Sequence, residues 1–236
     1  MLVKEINEHV IRVPLVANWA INCYLIKDSD GSLILIDTGI KGSWRKIDKA
    51  LRSIGKSPSD VKAIVISHAH LDHVGSLEKA KDYTNGLIYG HEIEKDFISN
   101  GKTSQVTHLF FAAKIFSFFS TNIDAVDVDY SFKDEEVLNL AGGLKVIHTP
   151  GHTPGHCSFL HLASSTLITG DAVVNFFARL SYPFKYFCSD YKLTKQTAQK
   201  LAEFDYDSAV FMHGPPIYQN ARVAIGDFLN KELKNV

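Results

Sequence analysis

The chain has 236 residues, of which 45% are hydrophobic and 22% are charged, and its formal net charge at pH 7 is −1. This length suits one large α/β domain, and the near-neutral charge excludes the basic surface with which proteins attract nucleic acid. Membrane-spanning proteins are excluded as well, because no stretch approaches the ~18 consecutive apolar residues of a spanning helix.

The cysteines and the first residues indicate the compartment. The three cysteines are widely spaced, without a Cys-x-x-Cys pair, which is typical of reduced thiols in an intracellular protein. Residues 1–7 lack the apolar core of a signal peptide. We therefore expect a single domain over residues 1–236 that acts in the cytoplasm.

Short strands alternate with helices in the first half of the predicted structure. Apolar runs predict strands at 10–13, 23–26, 33–36, 62–67 and 87–89. Helical spacing of apolar residues predicts helices at 43–54 and 75–82. The strand at 62–67 is apolar throughout its interior, as expected for a strand covered on both faces.

Residues 100–130 differ from the rest of the chain because their centre is rich in phenylalanine. The segment 109–119 is compatible with a helix and is apolar nearly all round, so it needs a covering partner. We predict a helical insertion here. Its aromatic residues, Phe110 and Phe111 among them, line a substrate pocket or cover the interface of a homodimer.

The second half repeats the pattern of strands followed by helices. Strands are predicted at 144–147, 158–162, 166–168 and 209–212. Helices are predicted at 190–203 and 219–233, and an aromatic loop covers 176–187. This loop contains Phe176 and Phe177, which we assign to the same candidate pocket.

Residues 68–73 read His-Ala-His-Leu-Asp-His and directly follow the predicted strand at 62–67. Imidazole and carboxylate ligands together suit a divalent metal, and the end of a strand holds them rigidly. A solvated polar loop does not explain four ligand-type residues within six positions. This stretch therefore predicts a metal site.

Three further candidate ligands also follow predicted strands. His152 comes after the strand at 144–147, Asp171 after 166–168, and His213 after 209–212. Because strand ends collect at one edge of a sheet sandwich, we expect these side chains to meet the histidine cluster.

In their order along the chain, these motifs resemble those of the metallo-β-lactamase superfamily. The matching stretches are Asp37-Thr38-Gly39, residues 67–75, residues 149–153, Gly170-Asp171 and His213-Gly214-Pro215. The resemblance implies an α/β fold in four layers, with two sheets between two helical layers.

The resemblance also implies a ligand set for two metal ions. The first ion takes His68, His70 and His152, the second takes Asp72, His73 and His213, and Asp171 bridges them. Nitrogen and oxygen ligands suit Zn²⁺, which we expect, with Mn²⁺ or Fe²⁺ as alternatives. Asp37 and His156 resemble the family residues that support the ligands.

These ligands imply a hydrolase in which a hydroxide bridging two metal ions attacks a small-molecule substrate. Asp72 is expected to act in catalysis as well, by orienting the hydroxide or passing on its proton. The aromatic loop favours a small ester, lactone or thioester with an apolar acyl part.

Other members of the superfamily fit the chain less well. Val174 stands where classical acyl-homoserine lactonases carry a tyrosine, and the chain has no C-terminal glutathione-binding region, so glutathione thioesters are not favoured. The near-neutral charge disfavours a phosphodiesterase acting on nucleic acid. A mononuclear-iron oxidoreductase of the persulfide dioxygenase type remains the alternative. A scaffold protein that has lost the chemistry is disfavoured, because such proteins usually lack some of the metal ligands and this chain has the full set.

Overall fold

The computed structural model describes residues 3–17, 19–104 and 123–233. In these ranges two β-sheets face each other across an apolar core, and helices pack on the outer face of each sheet. This arrangement confirms the predicted four-layer α/β sandwich. The core of the predicted insertion, with Phe110 and Phe111, lies outside the described residues.

The first sheet contains seven strands in sequence order. They are β1 (Lys4–Glu5), β2 (Val10–Val16), β3 (Ile21–Lys27), β4 (Leu33–Ile36), β5 (Val61–Val65), β6 (Leu87–His91) and β7 (Tyr130–Phe132). The strands β1 to β4 are antiparallel, whereas β4, β5, β6 and β7 run parallel. The carboxyl ends of β4 and β5 therefore meet at one edge, where residues 37 and 68 follow them.

The second sheet has five strands in the order β14-β11-β10-β9-β8. They are β8 (Val137–Leu138), β9 (Leu144–His148), β10 (Cys157–His161), β11 (Thr166–Ile168) and β14 (Ser208–Val210). β10 is antiparallel to both β9 and β11, and β11 is parallel to β14. The carboxyl ends of β9, β11 and β14 therefore lie at the same edge. A separate hairpin joins β12 (Val174–Phe176) to β13 (Arg179–Ser181).

The helices lie mostly where the sequence places them. They are α1 (Trp44–Ser53), α2 (Leu71–Val74), α3 (Leu77–Thr84), α4 (Glu92–Ser99), α5 (Tyr191–Thr197) and α6 (Ala221–Leu233). The helix predicted at 190–203 is α5 followed by a 3₁₀ turn at Ala198–Glu203, and α2 and α4 are additions to the predicted set. In the described ranges, none of the helices combines the length and apolar character needed to cross a membrane.

The apolar core between the sheets fixes how the two halves of the chain meet. Phe132 of the first sheet packs edge-on against Phe159 of the second, with ring centroids 5.7 Å apart. The Tyr24 hydroxyl donates a hydrogen bond of 2.6 Å to the carbonyl of Phe211, which joins the sheets close to His213. Such interdigitated cores are densely packed, so the loops at the sheet edge rest on a rigid base.

Candidate metal centre

Loops from both sheets bring all the predicted ligands to one place. Residues 68–73 follow β5 of the first sheet, while His152, Asp171 and His213 follow β9, β11 and β14 of the second. Their ligand atoms form three overlapping groups in which all atoms lie within 4.8 Å of one another. The groups are His68, His70 and His152; His68, His73 and Asp171; and Asp72, His73 and His213.

The first group is a cluster of three imidazole nitrogens. His70 Nδ1 lies 3.1 Å from His68 Nε2 and 3.0 Å from His152 Nε2. A tetrahedral zinc ion with bonds of about 2.0–2.2 Å separates its ligand atoms by about 3.3–3.6 Å. The three nitrogens are therefore spaced nearly as such an ion requires.

The second group combines a carboxylate with two imidazoles. His213 Nε2 lies 3.3 Å from Asp72 Oδ2, and His73 Nε2 lies 3.8 Å from Asp72 Oδ1. The His73 side chain is 1% exposed, whereas that of Asp72 is 34% exposed. The centre therefore opens to solvent on the side of Asp72.

Asp171 lies between the two groups. Its Oδ2 atom is 3.3 Å from His152 Nε2 of the first group and 3.3 Å from His213 Nε2 of the second. The same atom lies 3.7 Å from His73 Nε2. One carboxylate oxygen thus contacts ligand atoms of both groups, which is the position that a bridging ligand needs.

The donor atoms fit divalent metal ions. His73 Nε2 and Asp171 Oδ1 are buried and have no hydrogen-bond partner, although buried polar atoms nearly always have one. Nitrogen and oxygen donors without thiolate are the set that zinc, manganese and iron accept. A metal ion would satisfy atoms that the protein leaves unpaired.

Hydrogen bonds on the far side of the rings orient the ligand nitrogens. His73 Nδ1 contacts Asp37 Oδ2 at 2.7 Å, and His213 Nδ1 donates to the Ala20 carbonyl at 2.6 Å. His68 Nδ1 contacts the Ser67 hydroxyl at 3.0 Å. Each contact leaves Nε2 facing the centre, as is usual for histidines that bind metal.

Asp37 is held in an unfavourable backbone conformation, with φ at 57°. In this position its carboxylate accepts hydrogen bonds from the Ser67 amide at 2.8 Å and the Ser67 hydroxyl at 2.6 Å, besides contacting His73. Strain of this kind persists only where surrounding contacts fix it. The structure thus places Asp37 directly behind a predicted ligand.

His156 supports the backbone of another predicted ligand. Its Nε2 accepts a hydrogen bond of 2.7 Å from the Asp171 amide, and its Nδ1 lies 3.1 Å from the Thr149 carbonyl. The ring therefore connects the loop after β9 with the loop after β11. The structure thus places His156 directly behind Asp171, another predicted ligand.

The two groups have different electrostatic environments. Burial and neighbouring histidines lower the pKa of His70 to about 3 and hold the pKa of His68 well below its usual range. Burial also opposes charge on His73, but the carboxylates of Asp171 and Asp72 outweigh it and raise the pKa of His73 to about 10. The same carboxylates raise the pKa of His213 well above its usual range.

The carboxylates respond in the opposite direction. Burial favours their neutral forms, but the neighbouring histidines outweigh it and lower the pKa of Asp72 and of Asp171. His68 and His70 of the first group therefore offer neutral imidazoles, and the second group offers anionic oxygens paired with protonated rings.

Two residues near the ligands were not predicted from the sequence. Cys188 Sγ lies 3.6 Å from His152 Nδ1, and burial raises the pKa of this thiol to about 11, so it is neutral at pH 7. Glu94 of α4 accepts a hydrogen bond of 2.8 Å from the Ala69 amide, within the histidine motif. Neither residue belongs to a local pattern of ligands, so only the fold reveals them.

The aromatic residues after Asp171 form a wall beside the second group. The ring of Phe176 lies 5.6 Å from that of His213 and 5.8 Å from that of Phe184. Phe177, which is 80% exposed, packs on Trp19 with ring centroids 4.5 Å apart. We refer to Trp19, Phe176, Phe177 and Phe184 as the aromatic wall.

The hairpin that carries this wall is tied to the loop of His213. The Asn175 amide donates a hydrogen bond of 2.8 Å to the His213 carbonyl, and its side chain donates one of 2.7 Å to the Pro215 carbonyl. The wall therefore has a defined position relative to the second group.

Solved structures share this fold. A β-lactamase from Chitinophaga pinensis superposes with a TM-score of 0.73 at 19% identity, covering 99% of this chain and 92% of that one. The metallo-β-lactamase GOB-18 from Elizabethkingia meningoseptica gives a TM-score of 0.72 at 20% identity, covering 100% and 92%. At these identities the likeness concerns the fold alone.

Curated proteins are similar in sequence as well. The hydroxyacylglutathione hydrolase GloC of Haemophilus influenzae is 30% identical over 154 residues, which are 64% of this chain and 66% of that protein, so the match spans about two thirds of its length. The probable metallo-hydrolase YflN of Bacillus subtilis is 27% identical over 240 residues, covering 89% and 87%. The family model of the metallo-β-lactamase superfamily matches residues 17–213. The chain therefore belongs to the metallo-β-lactamase superfamily, as its motifs predicted.

Proposed function

We propose that this protein is a binuclear metallo-hydrolase that cleaves a small ester, lactone or thioester. The observation that carries the proposal is the position of Asp171, whose Oδ2 lies 3.3 Å from a ligand atom of each group. A single ion held by the first group also accepts a carboxylate ligand, but it would leave Asp72 and His213 of the second group without an ion to bind. A pair of ions explains why both groups converge on it.

Each ligand group would bind one of the two metal ions. His68, His70 and His152 would hold one ion, Asp72, His73 and His213 would hold the other, and Asp171 would be a ligand to both. Two divalent ions, Zn²⁺ in our proposal, supply Lewis acidity that polarises a carbonyl and activates water near neutral pH. The free, buried thiols of Cys23, Cys157 and Cys188 support our placing of the enzyme in the cytoplasm.

Asp72 is the residue best placed to handle protons. Its carboxylate is 34% exposed and lies at the open side of the centre, where its Oδ2 atom is 3.3 Å from His213 Nε2. The neighbouring rings lower its pKa, so it is ionised and accepts a hydrogen bond. It orients the attacking water and passes the proton towards the leaving group.

The aromatic wall supports an apolar acyl group in the substrate. Phe176 lies next to His213, and Phe177 and Phe184 are 80% and 62% exposed. Exposed aromatic rings beside a catalytic centre favour apolar ligands. The name of the GloC relative supports the thioester within this class, since a hydroxyacylglutathione is a thioester.

Metal content and activity should depend on the same side chains. We expect about two Zn²⁺ or Mn²⁺ ions per chain by elemental analysis of protein purified without added metal or chelator. Asp72→Asn and His213→Ala should each lower kcat/KM by about a thousandfold or more, with the fold retained by circular dichroism. Asp82→Asn, at an exposed position of α3, is the matched control and should keep full activity.

The outcomes separate the candidate functions. Full activity in Asp72→Asn or His213→Ala would overturn the binuclear mechanism. About one iron per chain, with oxygen uptake in the presence of a persulfide, would instead identify the mononuclear-iron oxidoreductase. The substrate screen therefore includes acyl esters, lactones, a hydroxyacylglutathione and a persulfide.

Metal binding should release protons from the histidines whose pKa values are raised, because a histidine must be neutral to bind a metal ion. His73 and His213 are protonated at pH 7 because their pKa values are raised, whereas His68 and His70 are already neutral. Loading metal-depleted protein should therefore release about two protons per chain from these two rings at pH 7, besides any proton lost by a metal-bound water, and metal affinity should rise with pH. Calorimetric titration in buffers of different ionisation enthalpy measures this number, and zero release would contradict the assignment of the second group.

Substrate preference should depend on the aromatic wall. Phe176→Ala and Phe177→Ala should lower kcat/KM by about tenfold for esters with long acyl chains, because about 1.4 kcal/mol of apolar contact is lost. Acetyl esters should be affected little. Tyr83→Ala, an exposed aromatic residue of α3, is the control.

An equal loss for short and long acyl chains would contradict this role. If the variants instead change the molecular mass measured by light scattering, with kinetics unchanged, the wall covers a homodimer interface.

A further inference from the structure

Glu94 is a buried carboxylate outside the predicted ligand set. It lies on α4 and is 1% exposed. In the described part of the chain no lysine, arginine or histidine forms an ion pair with it, although an uncompensated buried charge is costly. Hydrogen bonds must therefore stabilise the buried Glu94 carboxylate.

Three donors from separate segments face this carboxylate. Its Oε2 accepts hydrogen bonds from the Ala69 amide at 2.8 Å and the Ser104 hydroxyl at 2.6 Å. Its Oε1 accepts one from the Gly155 amide at 2.8 Å. All three partners donate, so the site requires a group with two accepting oxygens.

The two backbone partners lie in the loops that carry the first ligand group. Ala69 stands between His68 and His70, in the loop after β5 of the first sheet. Gly155 is three residues after His152, in the loop after β9 of the second sheet. Glu94 thus connects the two segments that supply the three imidazoles of this group.

The contact with the second loop leaves no room for a side chain. A Cβ atom at Gly155 would lie 2.7 Å from Glu94 Cγ and 2.9 Å from Glu94 Oε1. Distances under 3.0 Å are too short for real contacts, so either residue would have to move. A glycine at position 155 is what allows the carboxylate to reach the backbone amide.

We propose that Glu94 is a positioning residue that sets the distance between His152 and the pair His68 and His70, and thereby the metal affinity of the first group. This inference rests on the proposed metal centre. The second group is held by other contacts, since Asp37 orients His73 and the Ala20 carbonyl orients His213. The effect of Glu94 is therefore specific to one of the two ions.

The carboxylate is essential because the two backbone amides face different oxygens of Glu94, and an amide has only one accepting oxygen. In Glu94→Gln one oxygen becomes an NH₂ group, which donates and cannot accept. One of the two backbone amides then faces a donor and stays buried without a partner. The link between the loops is broken while the size of the side chain is preserved.

Variants that keep a single ligand group provide the test. His213→Ala removes a ligand of the second group and keeps the first, and His70→Ala does the reverse. Adding Glu94→Gln should weaken Zn²⁺ binding about 10- to 100-fold in the His213→Ala protein, the range found for outer partners of metal ligands. In the His70→Ala protein it should leave the affinity unchanged. Competition with a chromophoric chelator measures both affinities.

Glu92→Gln is the matched control, because it makes the same chemical change at an exposed position of the same helix. It should leave Zn²⁺ affinity unchanged in both backgrounds. If Glu94→Gln does not fold, Glu94→Asp replaces it, since the shorter side chain keeps the charge but cannot reach both loops. The same difference between the two backgrounds is expected.

The possible failures are distinguishable. If the unmodified protein binds no divalent ion, the proposed function is wrong. If it binds two ions, and Glu94→Gln weakens both single-group variants equally or neither of them, the metal centre stands and the inference about Glu94 is overturned.

Discussion

The carboxylate of Asp171 is the constraint around which the centre is built. Burying a carboxylate costs several kcal/mol unless charge and hydrogen bonds compensate it. Its Oδ2 is surrounded by nitrogens of His152, His213 and His73, while Oδ1 has no hydrogen-bond partner. Positive charge must therefore lie next to the Asp171 carboxylate, either as protons on the surrounding histidine rings or as metal ions bound by those rings. This requirement explains why one ligand group carries raised histidine pKa values and why both groups converge on one oxygen.

The fold brings the histidines to Asp171 because it packs two sheets together so that the loops after their strands meet at one edge. Apolar packing, such as that of Phe132 on Phe159, holds the sheets together. Buried polar groups then fix the loops themselves, because hydrogen bonds define direction in a way that apolar contacts do not. Asp37 acts in this way within the first sheet, while His156 and Glu94 connect separate loops. Both connecting residues lie outside the strands of the two sheets and contact the loops that carry the candidate ligands.

The sequence predicted the fold and the candidate metal ligands because both depend on local patterns. Apolar runs mark the strands, and ligand-type residues follow directly after them. Helix α4 was not predicted because its buried face carries Glu94 where an apolar residue would complete the spacing with Ile98. The role of Glu94 has no local signal either, since two of its partners are backbone amides that every residue possesses. Helix α2 is only four residues long and lies within the ligand motif itself.

In the proposed enzyme, this arrangement would also separate the residues that perform the reaction from those that select the substrate. Asp171 and the aromatic wall belong to one continuous segment, in which Phe176 follows the carboxylate by five positions. Asn175 ties this segment to the backbone on both sides of Gly214, so the wall is fixed relative to the second ligand group. The ring of Phe177 is 80% exposed and contributes no ligand atom. Its replacement therefore changes the apolar surface offered to a substrate without altering the charges that Asp171 gathers around it.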